Sequence, residues 1–451
     1  MANSYLTRTP SSTGNRKTFT ISVWIKRSEI STNQKIFEAS PDGSNRTEIT
    51  FKTTDELQFY AEVGGVQKYN LKSNAKLRDT NAFYHIVCAV DTTQSTSSNR
   101  VKMYINGEQI TSLADNVYPD QNFDTLVNYA SQINVIGRRN PYSDFYFNGY
   151  LSHLSLVDGQ ALAPTVFGET DSTSGIWKFK SPSGVTWGTN GFHLKFENSG
   201  NLGLDSSGNG NNLTVSGNGT QALDTPTNVH ATLNALSKTV GDTTVFTNGN
   251  NTVTKTGSNS DNSYAYTTIG AMSGKWYLEA KQTANVTYGF IGVDTIPNME
   301  ESIRNDSNPG DSGVGYRGDG QKRVQGSNSS FGNTYGQNDI IQVALDLDNN
   351  FVYFGKNGTW QNSGVPTSGG SGTGGIAITG ISGYNTEFMG SIVGDNSSGE
   401  GSATWNMNFG NGYFGTTAIT SAGSNGNGSL FEYDVPSGYY ALNTKNINTY
   451  G

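Results

Sequence analysis

Two carboxylates one residue apart, Asp346 and Asp348, lie in the stretch "DIIQVALDLDNNFVYFGKNGTW", residues 339–360. On a strand, side chains at i and i+2 share a face. Paired carboxylates on one face can hydrolyse a glycosidic bond or hold a hard cation. Asn349 and Asn350 follow at once. Asp and Asn bond their own backbone in tight turns, so the same residues also suit a strand end. A glycosidic pair must span about 5–9.5 Å across a cleft, and nothing in the stretch builds one. The turn is the preferred reading.

Other chemistry is sparse. The four histidines, His85, His153, His193 and His230, are not spaced as a metal pair on one strand or helix. His85 and His153 fall in strand-like runs and read as satisfied structural residues. There is no G-x-S-x-G elbow and no phosphate-binding loop. No acidic E-x-D-x-E triple occurs. No catalytic residue is assigned, and the chain is not expected to be an enzyme. The single cysteine, Cys88, sits in "FYHIVCAV" and reads as a packed small hydrophobe. Calcium is the one cofactor expectation: Asp205 in "DSSGNGNN", with Asp346 and Asp348, supplies oxygen ligands, though neither stretch has the spacing of a known calcium loop.

Binding is better supported. Sugars are recognised by aromatic rings stacked on their apolar faces, with polar groups fixing orientation. "GRRNPYSDFYFNG", residues 137–149, gathers Arg138, Arg139, Tyr142, Phe145 and Tyr146. The alternative is that Phe145 and Phe147 begin the next strand and are buried. Further along, Tyr316 and Arg317 in "GVGYRGDGQKR", with Trp360 and Tyr384, are the other candidates. The Arg317-Gly318-Asp319 triplet reads as chance in a glycine-rich loop.

The elements that must position these residues are strands. Over 451 residues, 56 glycines punctuate short aromatic and β-branched runs, and 23 Tyr, 21 Phe and 6 Trp supply core material. "TFTISVWIKR" alternates, with Phe19, Ile21, Val23 and Ile25 on one face. In "YLSHLSLV", strict alternation sets Leu151, His153, Ser155 and Val157 against Tyr150, Ser152, Leu154 and Leu156. Asn106-Gly107, Asn248-Gly249 and Asn357-Gly358 mark hairpins, because a type I′ turn needs positive φ at both central residues. No helix is expected beyond one turn at "QALAPTVFG", and 295–337 reads as irregular. The predicted class is all-β, with two antiparallel jelly-roll-like sandwiches in tandem. They span residues 1–197 and 228–451, joined by a Gly/Asn/Ser-rich linker at 198–227. The formal net charge is −8 and charged residues are 15%. Without a basic cluster, nucleic acid is not an expected partner. Without a long apolar run, neither is membrane insertion. The N-terminal residues lack the apolar core of a secretory leader.

These residues carry a resemblance. "FTISVWIKR", "NAFYHIVCAVD", "RVKMYINGEQI" and "FNGYLSHLSLVDGQAL" together resemble a LamG or concanavalin A-like lectin domain. "SGKWYLEA", "YGFIGV" and "DIIQVALDLDNNFVYFGKNGTW" are similar to an SPRY domain, with Leu278 where Trp is usual and Gln342 where Gly is usual. The joints "LVDGQALAPTVFGETDSTSGIWKFK", "GTNGFHLKF", "LGLDSSGNGNNLTV" and "VPSGYYALNTKNIN" look like structural proteins of marine tailed phages. That resemblance implies a virion component assembled in a bacterial cytoplasm: a tail fibre or tail-appendage part, with capsid decoration as the alternative. A carbohydrate-binding adhesin module is a third reading. The implied partners are other virion proteins and a host-surface glycan, and the implied assembly is a homo-oligomer, with a trimer favoured.

Overall fold

In a computed structural model, residues 3–237, 244–255, 263–284, 288–305, 307–395 and 403–451 are described. The chain divides into two units, Met1–Gln221 and Ala222–Gly451. Each is an all-β sandwich of antiparallel sheets.

Alternation builds the first unit. Its larger sheet runs, edge to edge, Leu113–Val117, Val66–Lys76, Glu56–Val63, Asn45–Phe51, Gln34–Asp42, Asn134–Ile136, Tyr5–Arg8 and Thr214–Ser216. The facing sheet runs Phe192–Leu194, Gly149–Asp158, Thr18–Arg27, Tyr84–Asp91, Val101–Ile105 and Glu108–Gln109. Phe19, Ile21, Val23 and Ile25 meet Ile49, Phe59 and Leu71 between the sheets, and Cys88 is buried among them. Asn106-Gly107 has φ of 49° and 86°, the left-handed pair that a type I′ turn requires.

Two expectations change here. Residues 198–227 are not simply a linker. Thr214–Ser216 pairs with Tyr5–Arg8 at the edge of the larger sheet, and the unit extends to Gln221. The strand holding His153 does not alternate strictly either. The register against Thr18–Arg27 shifts between Ser152 and Ser155, and His153 takes φ 47°. This bulge lets Leu151, Leu154 and Leu156 all pack toward the core while His153 faces out.

The outer face of the six-stranded sheet carries Trp24, His85 and Val87, which cannot be left in water. Residues 162–187 cover it. Gly168–Thr170 pairs with Trp177–Phe179, and Phe167, Val185 and Trp187 pack on Val87 and Val157. Three histidines join the arm to the sheet. His85 stacks on Trp24 at 4.5 Å and accepts the Trp177 indole N–H at Nδ1, 3.0 Å. His153 stacks on Phe179 at 3.7 Å, and its Nδ1 lies 3.4 Å from His193 Nε2.

His85 must be neutral to accept at Nδ1, and at least one of His153 and His193 must be neutral for their facing nitrogens to pair. Burial pushes His85 down to about 3. Burial, then His193 and Lys195, pushes His153 down to about 4. Burial and Lys195 outweigh Asp205 and Glu197 at His193, which also falls to about 4. A depressed histidine contributes stability above its unfolded value near 6.5 that is lost as pH falls toward the folded value. Burial raises Glu38 of the same unit to about 7, which has the opposite slope between about 4.5 and 7. Three groups outweigh one. Acidification from pH 7 to 4 is therefore expected to destabilise the arm by a few kcal/mol, at ~1.4 kcal/mol per tenfold change in proton affinity. Amide exchange in residues 162–187 should quicken before that of Gln34–Asp42. Equal acceleration of both would count against this arrangement.

The second unit repeats the two-sheet plan. One sheet runs Val245–Thr247, Thr252–Lys255, Ala403–Asn408, Lys275–Ala284, Ile340–Asp346, Phe351–Lys356 and Thr359–Trp360. The other runs Ser263–Tyr266, Met389–Asp395, Gly289–Thr295, Val314–Arg317, Gln321–Val324 and Ser327–Ser330. Trp276, Leu278, Val343, Leu345, Trp405 and Met407 meet Ile291 and Val393 between them. Asn357-Gly358 and Asn248-Gly249 again have positive φ at both residues.

The stretch 295–337 is more regular than expected. It holds three strands and the helix Ile296–Arg304. Pro297 sits in the helix's first turn, where its missing N–H costs nothing, and Met299 and Ile303 are buried one turn apart. A second short helix spans Thr444–Tyr450.

Candidate binding surface

The acidic pair separates on folding. Asp346 ends its strand with its carboxylate fully buried. Its Oδ2 takes Lys275 Nζ at 2.9 Å and Asn349 Nδ2 at 2.9 Å, and its Oδ1 takes Asn349 N at 3.0 Å. Lys275 stands directly across the register. Asp348 is exposed and accepts the Gly274 N–H at 2.8 Å. One carboxylate is tied down inside and the other trims a surface turn, so they share no cleft.

Asp205 is equally occupied. Its Oδ1 accepts the N–H groups of His193 and Ser207, and its Oδ2 accepts Asn211 N and Ser207 Oγ, at 2.8–2.9 Å. A calcium ion at either place would have to displace those donors. Among the described residues, no three His, Cys, Asp or Glu side chains converge as metal ligands.

Ser22 Oγ lies 2.9 Å from His85 Nε2, the spacing of a nucleophile and its base. The tautomer is wrong for that role. Trp177 donates to Nδ1, so the ring proton sits on Nε2 and points at the serine. His85 cannot take the serine proton in this state.

The stretch 137–149 does bring its candidates together. Arg139 is clamped to Asp144, through Nε at 2.7 Å and through Nη2, and its guanidinium lies over Tyr142 at 4.5 Å and Phe145 at 4.3 Å. Arg138 lies over the Tyr5 ring at 4.1 Å and donates from Nη1 to the carbonyls of Arg139 and Tyr142. Tyr146 packs at 6.4 Å from Tyr5. Tyr142 is 51% exposed and lies against Gly43, where an added Cβ would meet its hydroxyl at 2.8 Å. The loop is fastened to the sheet below. Asn140 N donates to Glu38 Oε1 at 3.1 Å, Asn140 Nδ2 donates to Ser40 O, and Lys35 N donates to Phe145 O. Phe145 and Phe147 are half-buried and precede the strand, which begins at Gly149. Tyr5, Gly43 and Glu38 were not foreseen, since they lie about 100 residues or more from the loop.

Residues 1–166 match the family described as the concanavalin A-like lectin/glucanases superfamily. This part of the chain is thus similar to LamG/concanavalin A-like domains. Similar solved structures include a heptameric SAP-like pentraxin from Limulus polyphemus, at 15% identity and a TM-score of 0.30 over 48% of this chain and 88% of that one. A putative carbohydrate binding protein from Bacteroides ovatus aligns at 19% identity and a TM-score of 0.34, over 50% and 59%. The SPRY domain of human HERC1 aligns at 18% and 0.26, over 36% and 91%. No curated protein matches.

The first unit thus presents Tyr142, exposed and flanked by two arginines, on a loop anchored to its larger sheet. The second unit does not gather its candidates in this way. Tyr316 and Arg317 end a strand, not a loop. Tyr316 is buried against Tyr335 and Phe331, with its hydroxyl on the Asn333 carbonyl. Arg317 is buried, paired with Asp319 at 3.4 Å and lying over Tyr288 at 5.1 Å. Neither is presented to a ligand, because the sheet takes both side chains as packing. Trp360 packs half-buried on the cluster around Tyr277, and Tyr384 on the main core. Exposed apolar side chains of this unit lie elsewhere, and two of them stand opposite each other. Ala271 bridges Met389, which sets Met272 across from Phe388, and these are 45% and 56% exposed.

Asp346→Ala should lower stability by about 1–3 kcal/mol, because Lys275, Asn349 and its backbone lose a common acceptor. A chelator should leave the melting temperature of the wild-type chain unchanged. A drop on chelation that calcium reverses would instead make these turns cation sites.

Proposed function

We propose that this chain is a non-enzymatic virion structural protein of a tailed phage, a tail-fibre or tail-appendage component whose first unit binds host-surface glycans. The observation that carries the binding role is Tyr142. It is an exposed ring, steadied from below by Gly43 and from the side by Arg139, on a lectin-type sandwich. A ring held in one orientation loses little freedom when a sugar stacks on it. The flanking guanidiniums supply donors for hydroxyl or carboxylate oxygens.

The phage assignment draws on the connecting phrases around residues 156–180 and 435–448. The second unit, read as SPRY-like from its Trp276 strand and Asn357-Gly358 hairpin, supports attachment to another virion protein. Met272 and Phe388 form an apolar pair at its surface, the kind of feature that marks protein contacts. That pair also favours a second reading, capsid decoration, in which the same unit docks on the shell. A trimer is the assembly proposed for the appendage.

Purified full-length chain added to host cells should block adsorption of the phage that encodes it, and Tyr142→Ala should lose the block while melting within about 0.5 kcal/mol of wild type. No block, together with hundreds of copies per virion, would replace the tail reading with decoration.

A further inference from the structure

Three charged side chains of the larger sheet in the first unit are packed together out of water. Lys35 and Glu38 belong to the strand Gln34–Asp42, and Glu48 to its neighbour Asn45–Phe51. Their side chains are 6%, 0% and 5% exposed. Lys35 Nζ lies against Glu48 Oε2 and 3.5 Å from Glu38 Oε2. Glu38 and Glu48 are direct partners in the register, and Lys35 pairs with Thr50, which shares a face with Glu48. Lys35 and Glu38 are three apart and would face opposite ways on a regular strand. The register shift between Lys35 and Phe37 lets both turn to one side. The 137–149 loop is fastened to the same two residues: Lys35 N donates to Phe145 O at 2.9 Å, and Asn140 N donates to Glu38 Oε1 at 3.1 Å.

Two carboxylates and an ammonium are costly to hold as ions away from water. Condensing one carboxylate with the amine removes two charges and leaves a neutral amide. The fold supplies what that condensation needs. Amine and carboxyl group are already in contact, so a held pair replaces a chance encounter. Glu38 touches the same amine and can carry protons, and burial raises its own proton affinity, to about 7, which suits a proton carrier near neutral pH. Arg46 Nε lies 3.2 Å from Glu48 Oε2, where negative charge builds as nitrogen adds to the carboxyl carbon. Arg46 is itself held by Glu62, through Nη2 at 2.8 Å.

We propose that Lys35 and Glu48 join in an amide bond inside the folded first unit, with Glu38 as the proton carrier. Glu38 takes one proton from the Lys35 ammonium. The freed lone pair adds to Glu48 Cδ and forms the C–N bond. That proton, and a second released by the nitrogen, pass through Glu38 to one Glu48 oxygen. The C–O bond breaks, the oxygen leaves as water, and Glu38 is again a carboxylate. Ammonium plus carboxylate gives amide plus water, so no oxidant or outside reagent is required. The bond staples two neighbouring strands at the base of the loop that carries Tyr142, whatever ligand that loop meets.

Intact-mass spectrometry and tryptic mapping of the purified full-length chain test it. The folded wild type should weigh one water less than its sequence. Trypsin should fail to cut after Lys35 and should release residues 28–46 joined to residues 47–52. Lys35→Arg should restore the full sequence mass. Glu38→Gln, which keeps an acceptor for Asn140, should slow the linkage, sampled over time after synthesis, by roughly a hundredfold. The wild-type mass and its branched peptide need no variant, so a folding defect in either substitution cannot hide the answer. Full sequence mass in the folded wild type, with separate peptides ending at Lys35 and Lys52, would overturn the inference and leave the cluster an ion pair. A water loss that maps to another segment, or that persists in Lys35→Arg, would overturn it too. So would linkage in Glu38→Gln at the wild-type rate.

Discussion

The six-stranded sheet of the first unit is buried on both faces, and much of that unit follows from the need to cover both. One face meets the larger sheet. The other carries Trp24, His85 and Val87, and it would be open to water without residues 162–187. Covering it with a hairpin arm brings buried backbone and ring nitrogens that need partners. The histidines supply them without adding charge. The return of the chain is fixed by Asp158, at the end of the Gly149–Asp158 strand. Its Oδ1 accepts Asn15 N at 2.7 Å and Asn128 Nδ2 at 3.1 Å, and its Oδ2 accepts Asn190 N at 3.0 Å. One carboxylate thereby ties three distant segments to one strand end. Gly188, at φ 70°, passes so close to Asp158 that a Cβ would sit 2.1 Å from its carbonyl oxygen.

The second unit meets the same constraint with another device. Tyr277, Ala344 and Tyr353 line an outer sheet face, and Phe431, Val435 and Tyr439 of the C-terminal stretch cover it. Glu279 sits under that cover. It accepts Glu432 N at 2.8 Å, Tyr433 N at 2.9 Å and the Tyr277 hydroxyl at 3.0 Å. Burial nonetheless raises its proton affinity, to about 7. Separate stretches of backbone are thus pinned by single polar groups in largely apolar layers. Polar side chains in these positions explain why so many charged and polar residues of the chain are buried without belonging to a ligand site.

Much of the fold was legible because it depends on short-range rules. The alternation of Thr18–Arg27, the three Asn-Gly turns and the strand-ending role of Asp346 follow from local geometry, and all are present. What was not legible depends on one-residue events or distant partners. The bulge at His153 reverses the faces expected for half a strand. The helix Ile296–Arg304 is too short to show more than Pro297 and the Met299–Ile303 spacing. Tyr316 and Arg317 sit in a sequence rich in glycine, which resembles a loop. Their burial comes from Phe331, Tyr335 and Tyr288, and Tyr288 lies some thirty residues back.

The sequence alone determined the all-β class, the positions of the tight turns and the absence of a recognisable catalytic motif, because strand periodicity and turn chemistry act between near neighbours. Only the tertiary structure decided which polar residues could meet a ligand. Asp205, Asp346 and Asp348 became turn acceptors once their donors came into reach. Of two adjacent arginines, Asp144 neutralised one, and the packing of Tyr5 buried the other without a counter-charge. Burial and pairing are properties of the whole packed unit, so residues that look alike in sequence end with different chemistry.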